Sequence, residues 1–179
     1  MLSGIIDEER NFVLVGKERH DTGRPQDQGY PIRGMFKNNM LFIKNYETSR
    51  WPSGNPELGY LNVDSSPVKT LLLNLRRKNI DKHFWQLNFG KRPTYEIYDL
   101  KTDPYCVSNL ASNPSYSKIK KDLEKEMEAK LLEQNDLRML GYGHIYEQKY
   151  HLTKNSFLYD RYMAGEPFPE GWMLSTDIE

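Results

Sequence analysis

Hydrophobic residues in the first quarter of the chain form short runs separated by polar turns, a pattern typical of β-strands. Residues 12–15 are an apolar, β-branched run that ends at Gly16, which predicts a buried strand. Residues 30–36 and 40–46 are two further apolar segments joined by the short turn 37–39. Because that turn contains asparagine, the three segments predict a β-hairpin.

In the middle of the chain, the spacing of the apolar residues becomes that of a helix. Ser66-Pro67 combines a capping hydroxyl with a proline of the first turn, so a helix is predicted to begin there. A second short helix is predicted over residues 80–89, anchored by Phe84, Trp85 and Leu87. The apolar stripe of the first helix is predicted from its i, i+3, i+4 and i+7 spacing to be Val68, Leu71, Leu72 and Leu75.

The remaining elements complete the fold class. Residues 94–100 alternate and predict a strand, Asn113-Pro114 opens the longest predicted helix, and residues 150–163 are predicted to contain a short one. The order of strand, hairpin, helix, strand and helix predicts an α+β fold, a small antiparallel β-sheet packed with helices. The apolar face of the longest helix, which we expect to lie on the sheet, is Ile119, Leu123, Met127 and Leu131.

Composition narrows the range of partners. The 179 residues include 25 basic and 25 acidic side chains, so no net charge draws the chain to nucleic acid or to an acidic membrane. No apolar run is long enough to span a membrane, and residues 1–10 lack the pattern of a signal peptide. The single cysteine, Cys106, excludes an internal disulfide and a cysteine-rich zinc site.

Two stretches carry a resemblance to a known family. Residues 90–104, with the core Tyr95-Glu96-Ile97-Tyr98-Asp99-Leu100 and an Asp-Pro turn, precede Asn109-Leu110-Ala111 and the predicted long helix. This order resembles the C-terminal signature of sulfatases. Residues 15–21, 29–34, 42–46 and 50–54 are similar to the bacterial relatives of heparan N-sulfatase, N-sulfoglucosamine sulfohydrolase. The resemblance covers nearly the whole chain from about residue 12.

The resemblance implies that this chain is one domain of a larger enzyme whose catalytic residues lie in another domain. Residues 1–135 are expected to form the C-terminal α+β sulfatase domain, and residues 136–179 an extension that packs on it. The partner would be an N-terminal catalytic domain of the alkaline-phosphatase-like fold, and the substrate a sulfated, glycosaminoglycan-type sugar. The complete enzyme would use a formylglycine and a calcium ion and would be periplasmic or secreted.

The catalytic motifs of that family are absent from this sequence. Sulfatases form the formylglycine from Cys or Ser in Cys/Ser-x-Pro/Ala-x-Arg, whereas Cys106 is followed by Ser108 and Leu110 at the two diagnostic positions. The Asp-Asp metal motif is missing as well. We therefore expect no catalytic residue, no metal ligand and no cofactor in this chain, and no activity of the chain alone.

The loop after the first strand contains the candidate substrate-binding residues Lys17, Glu18, Arg19 and His20. By resemblance, this loop closes one wall of the sulfatase pocket, where Arg and protonated His suit a sulfate and Glu suits sugar hydroxyls. The alternative is a solvated loop with a local ion pair. Arg33 is a secondary candidate and is expected to be a structural partner on its strand.

Other residues that suggest chemistry have simpler explanations. His83, His144 and His151 lack metal-ligand spacing. Asp99 and Asp103 are expected to cap turns. Trp51, Trp85 and Trp172 could stack on sugar rings, but such residues are more often core or interface anchors, as we expect for Trp85. The basic pair at residues 91–92 is too short to indicate nucleic-acid binding.

Two functions remain open from the sequence. The first is the C-terminal portion of a sulfatase, in which this chain supports the fold and supplies the edge of the pocket. The second is a stand-alone carbohydrate-binding or protein-interaction module. Under the first, the sheet lacks its partner, so we expect an exposed apolar patch at residues 12–15 and 30–46 and possible self-association. The loop of Glu18, Arg19 and His20 should lie at its edge.

Overall fold

The computed structural model describes residues 11–20, 22–148, 156–168 and 173–179. It confirms the α+β fold: one small antiparallel sheet with helices packed around it. The strands are β1 (Phe12–Lys17), β2 (Ile32–Lys37), β3 (Met40–Asn45) and β4 (Tyr95–Asp99), and the α-helices are α1 (Pro67–Arg77), α2 (His83–Phe89), α3 (Ser117–Glu133) and α4 (Leu158–Met163).

The four strands follow the order β1-β2-β3-β4, and each neighbouring pair is antiparallel. The predicted hairpin is β2–β3, and Lys37 pairs with Met40, so the turn consists of Asn38 and Asn39. Their φ values of 50° and 62° lie in the left-handed region. Asparagine tolerates this region better than most residues, which explains why this pair forms the two-residue turn.

Helix α3 covers one face of the sheet, as its amphipathic pattern predicts. Leu123, Met127 and Leu131 are buried in one cluster with sheet residues of alternate positions, whereas Ile119 remains 38% exposed near the start of the helix. Residues two apart on a strand point to the same side, so this cluster defines the covered face. Its sheet residues, all fully buried, are Met35, Phe42 and Ile97.

Strand β1 differs from the prediction of a buried strand, because its alternate residues are only partly buried and the others are exposed. Phe12 and Leu14 pack against the α3 cluster, but Val13 and Val15 are 55% and 46% exposed. The reason is topological: β1 is an edge strand, and α3 covers only one side of the sheet. A sequence run without polar residues does not distinguish this arrangement from a strand buried on both faces.

The buried face of helix α1 was also wrongly predicted. Ser66 caps the helix as expected, since its side chain accepts a hydrogen bond from the Lys69 amide at 3.2 Å. Val68 and Leu71, however, are 65% and 55% exposed, and the buried side chains are Lys69 and Leu73. Of the predicted stripe, Leu72 is partly buried and packs against the cluster of Tyr60, Leu73 and Phe89.

Lys69 is a buried ammonium group held by neutral acceptors. Its Nζ donates to the carbonyl oxygen of Val63 at 2.5 Å and to that of Tyr60 at 3.4 Å, and it lies 3.0 Å from the sulfur of Met173. Burial lowers the pKa of Lys69 to about 8, although the carboxylates of Asp177 and Asp64 oppose the shift. The charged form of this lysine is therefore costly in the folded protein.

This shift predicts a pH dependence of stability with a definite sign. Between pH 8 and the usual lysine pKa of 10.5, the folded chain has lost the proton while the unfolded chain retains it, so stability rises with pH. From pH 7.5 to 9.0 the native chain should gain about 1 kcal/mol of unfolding free energy relative to Lys69→Met. Urea titrations at the two pH values measure this. The exposed Lys78→Met variant is the control, and a difference unchanged with pH would contradict the assignment.

Two smaller clusters lie apart from the one under α3. One contains Tyr60, Leu73 and Phe89, and Trp85 packs against it as an anchor, as predicted. The other contains Leu58, Leu61 and Leu158. Phe84, also predicted to be an anchor of α2, is 53% exposed instead. Residues 173–179 lie against α1, where Thr70 donates to Asp177 at 2.7 Å. Among the described residues, no helix is long and apolar enough to cross a membrane.

Candidate functional site

The four candidate residues, Lys17 to His20, lie in different surroundings at the end of β1 and in the loop that follows it. Lys17 is the last residue of β1, and its half-buried side chain lies on the side of the sheet that α3 leaves uncovered. Glu18 and Arg19 make contacts within the fold, and His20 is exposed. The structure therefore does not gather all four side chains into one site.

Glu18 lies at the centre of an ion-pair cluster. One carboxylate oxygen accepts from Arg33 at 2.5 Å and from Arg138 at 3.1 Å, and the other accepts from Arg138 at 2.6 Å. Arg33 also donates to Asp136 at 2.8 Å. We call these four residues the Glu18 cluster. It fixes the loop after β1 to the turn that follows α3.

The Glu18 cluster is largely shielded from water, since its side chains are only 6–16% exposed. Burial disfavours the charge on Arg33, but hydrogen bonds to Asp136 and Glu18 outweigh it and raise the pKa of that guanidinium. This arrangement matches the expectation that Arg33 is a structural partner. Both oxygens of Glu18 are engaged, so its contribution to the loop is an anchoring one.

Arg19 and His20 continue the loop away from this cluster. Arg19 Nη2 donates to the carbonyl oxygen of Tyr146 at 3.2 Å, which ties the loop to the segment after α3. Arg50 Nη1 binds both the Gly29 carbonyl at 2.9 Å and Glu147 at 2.8 Å and fastens the far end of the same loop. His20 is the one exposed side chain of the four. Its role in substrate binding stays a prediction.

A pocket of about 520 Å³ opens beside Lys17 on the uncovered side of the sheet. Its lining comes from strands β2, β3 and β4, from α2 and from residues 105–107. We call it the sheet pocket. Its polar and aromatic lining includes Lys17, Tyr30, Asn45, Phe84, Arg92, Glu96, Tyr98 and Tyr105.

The one carboxylate of the sheet pocket is already bound. Glu96 accepts from the Asn45 amide at 2.8 Å and from the Tyr98 hydroxyl at 2.6 Å. Burial, together with the bond to Glu96, raises the pKa of Tyr98, so this hydroxyl keeps its proton. Arg92 donates to the carbonyl oxygen of Leu87 at the base of α2. These bonds hold the floor of the pocket rigid.

Lys17 and Tyr30 lie next to each other in the pocket. Lys17 Nζ lies 5.7 Å from the centre of the Tyr30 ring, a cation–π contact. Burial and the charge of Arg24 lower its pKa. The Tyr30 hydroxyl is buried without a hydrogen-bond partner in the described part of the chain, and burial and Glu96 raise its pKa to about 12.

The same side of the sheet carries an apolar surface that extends into the pocket, whose lining includes Ile32, Leu41 and Ile43. Gly34 lies between Val15 and Ile43 on the neighbouring strands. A Cβ atom at Gly34 would lie 3.0 Å from Val15 Cγ2 and 3.6 Å from Ile43 Cγ1, so the side chains of Val15 and Ile43 point to this side of the sheet. Strand alternation places the other apolar residues here. We call this surface the open face: Val13, Val15, Ile32, Phe36, Leu41 and Ile43.

Several other candidates have structural roles. Asp99 accepts from the Lys101 amide at 3.0 Å, and Asp103 accepts from the amides of Val107 and Ser108, so both cap turns as expected. The described residues contain no group of three or more His, Cys, Asp or Glu that could hold a metal ion. His151 and Trp172 lie outside the described residues.

Cys106 gives a prediction about processing. It lies in a turn with φ of 54°, and burial and the charges of Asp103 and Glu96 raise the pKa of its thiol. Because Ser108 and Leu110 replace the motif residues, Cys106 should remain a thiol when the chain is co-expressed with a formylglycine-generating enzyme. Peptide mass spectrometry checks this, with a sulfatase motif peptide as the positive control. An aldehyde at this position would refute it.

Comparison with known proteins finds two sulfatases that are similar to parts of this chain. The chain is similar to an ulvan-active sulfatase of Formosa agariphila, with 28% identity over 125 residues, 67% of this chain and 19% of that protein. A second ulvan-active sulfatase from the same organism is 47% identical over 45 residues, 25% of this chain and 9% of that protein. No known family model matches the chain.

These similarities support a relationship with sulfatases, which are hydrolases. The chain spans less than a fifth of the length of the curated relatives it matches. The observed α+β arrangement is consistent with a C-terminal subdomain of such an enzyme.

Proposed function

We propose that this chain is the C-terminal portion of a sulfatase that hydrolyses sulfate esters or sulfamates of a polysaccharide. In this role it supports the fold and forms part of the edge of the substrate pocket. The observation that carries the proposal is the open face, where Val13 and Val15 are exposed and the apolar residues of β2 and β3 are only partly buried. A sheet with one face on α3 and an incompletely buried apolar surface on the other fits a domain that packs against another.

The partner proposed for the open face is the N-terminal catalytic domain of the same enzyme. Relatives five times longer than the matched region support the existence of such a domain. The formylglycine nucleophile and the calcium ion would belong to that domain, because the described residues offer neither the motif nor a suitable ligand group. What this chain contributes is a rigid loop after β1 and a cationic pocket beside it.

The substrate proposed is a sulfated polysaccharide sugar. The sequence resemblance favours a glycosaminoglycan of the heparan type, whereas both relatives are named for ulvan. Lys17 and His20 are the side chains of the predicted site that remain available to a sugar or sulfate, whereas Glu18 and Arg19 hold the loop. Arg19 and Glu18 then act by positioning their neighbours.

The alternative is a stand-alone carbohydrate-binding module. The sheet pocket favours it, since its lining includes the exposed aromatic side chains of Phe84 and Tyr105 together with polar groups. The two functions differ in what they require of the open face. A stand-alone module should be monomeric with that face in water, whereas an enzyme portion needs a partner there.

The purified chain should release no sulfate from 4-nitrophenyl sulfate or glucosamine N-sulfate, because the described residues supply no nucleophile of the sulfatase type. Ion chromatography of free sulfate, with an intact sulfatase as the positive control, measures this. Turnover by homogeneous protein that a substitution within this chain abolishes would overturn the proposal.

The coding sequence directly upstream of residue 1 supplies the direct genetic test. We expect it to encode an α/β domain with Cys/Ser-x-Pro/Ala-x-Arg and an Asp-Asp metal motif. An unrelated neighbouring sequence, together with a monomeric chain that binds sugar by itself, would favour the stand-alone module.

A further inference from the structure

Residues 173–179 lie against α1 as a surface segment, which we call the strap. Thr70 on α1 donates to Asp177 at 2.7 Å, and the Leu174 amide donates to Ser65 Oγ at 3.1 Å, just before the helix begins. Most residues of the strap are nevertheless exposed, so water and small solutes reach it. The strap is therefore fastened by a few side-chain contacts rather than by a buried core.

The sulfur of Met173 connects the strap to the buried ammonium of Lys69. Lys69 Nζ lies 3.0 Å from this sulfur and Ser65 Oγ lies 3.4 Å from it, so two donors converge on one thioether. Met173 is partly exposed, whereas Met35 and Met127 are fully buried. An oxidant in solution can therefore reach the sulfur that helps to enclose Lys69.

The surroundings of Met173 are too tight for an added oxygen atom. An N–H···O hydrogen bond alone spans about 2.9 Å from nitrogen to oxygen, which is nearly the whole distance between Lys69 Nζ and the sulfur. On another side, a Cβ atom at Gly59 would lie only 3.1 Å from Met173 Cγ. Met173 also packs against an apolar cluster, which a sulfoxide would make polar: Leu58, Leu61 and Leu158.

Asp177 provides a second, independent observation about the strap. Its side chain is fully buried, and one carboxylate oxygen accepts from Thr70. The other, Oδ2, is buried without a hydrogen-bond partner in the described part of the chain. Because an unpartnered buried carboxylate oxygen costs free energy, the closed strap is already destabilised at this point. A further cost at Met173 favours its release.

We propose that Met173 is an oxidation site whose sulfoxide releases the strap from α1 and exposes the amine of Lys69. The oxidant is a hydroperoxide such as hydrogen peroxide. The sulfur lone pair attacks one peroxide oxygen, so an S–O bond forms, the O–O bond breaks and the sulfur is oxidised by two electrons. The leaving hydroxide takes the proton of the transferred oxygen and departs as water. Methionine sulfoxide reductase reverses the change.

The inference is independent of the proposed function, because it concerns α1 and the strap rather than the open face. Hydrogen peroxide treatment of a Cys106→Ser chain tests it without interference from the single thiol. Peptide mass spectrometry measures the oxygen added to Met173 and the acetylation of Lys69 by N-hydroxysuccinimidyl acetate. Oxidation should accelerate acetylation of Lys69 about tenfold, because local opening exposes the amine, whereas the exposed Lys78 should react as before.

Met163→Leu is the matched control for oxidation elsewhere, since Met163 is 57% exposed at the end of α4. This variant should respond to peroxide as the parent chain does. Met173→Leu keeps an apolar side chain of similar size without an oxidisable sulfur, so its Lys69 should stay protected in peroxide. Met173→Gln places a polar oxygen near the position of the sulfur and should leave Lys69 reactive without peroxide, which provides a second test if Met173→Leu does not fold.

Three results would overturn the inference. The first is a Met173 that stays unoxidised after Met163 has reacted completely. The second is a Met173 sulfoxide with Lys69 as protected as before. The third is an equal gain of Lys69 acetylation when peroxide acts on Met173→Leu. Return of the original acetylation rate after methionine sulfoxide reductase treatment would support the release of the strap as a reversible switch.

Discussion

Glu18→Gln should lower the free energy of unfolding by about 3 kcal/mol, because breaking a buried ion pair leaves uncompensated charge. Arg33 and Arg138 both donate to this carboxylate, and Arg33 is only 5% exposed. Glutamine keeps the size of the side chain but supplies one neutral acceptor where two charged oxygens stood. Urea denaturation monitored by circular dichroism measures the loss.

Glu133→Gln is the matched control for this effect. Glu133 pairs with Lys130 at 3.0 Å on α3, but its side chain is 63% exposed. Exposed pairs contribute little, so this substitution should cost less than about 0.5 kcal/mol. Similar losses in the two variants would show that the Glu18 cluster does not hold the loop to the turn after α3.

The isolated chain should self-associate through the open face, and Val13→Lys with Val15→Lys should make it monomeric. These two valines are 55% and 46% exposed on an edge strand next to other apolar side chains. Removing these two apolar side chains from a dimer interface weakens the free energy of association by ~3 kcal/mol, which corresponds to an association constant about a hundredfold lower. Sedimentation velocity over a range of protein concentrations gives the association constant.

Leu132→Lys controls for a general gain of solubility. Leu132 is 47% exposed but lies on α3, away from the open face. It should leave self-association unchanged. A native chain that is monomeric at all concentrations, with high thermal stability, would count against an uncovered docking surface and would favour the stand-alone module.

The local signals of the sequence predicted most elements well. The hairpin follows from the Asn38-Asn39 turn, the start of α1 from Ser66-Pro67, and the covered face of the sheet from the period of α3. Each of these depends on residues close together in sequence. The structure confirms them, and in each the local preference agrees with the fold.

Features set by distant contacts were predicted less well. Lys69 on the buried face of α1 donates to the Tyr60 and Val63 carbonyl oxygens, and the spacing of apolar residues along the helix gives no sign of these contacts. The Glu18 cluster depends on Arg138, 120 residues away in sequence. No periodicity connects such positions.

The sheet pocket was missed for the same reason. Lys17, Ile32 and Asn45 form one row across three strands, and only the register reveals it. In the sequence, Arg92 stands out only as half of a basic pair, and Tyr30 only as the first residue of a predicted strand. Strand alternation places Lys17 and Arg33 on opposite faces of the sheet. The sequence contains this signal, but it can be used only when the pairing of the strands is known.

The central claim is that this chain completes a sulfatase. The most direct test is to combine the purified chain with the polypeptide encoded directly upstream and to measure sulfate release. We expect sulfate release from a polymeric substrate such as ulvan only when both polypeptides are present. The Val13→Lys and Val15→Lys double variant should abolish both complex formation and activity, and Leu132→Lys should preserve them. Full activity of the upstream polypeptide without this chain, or no complex between the two, would contradict the account.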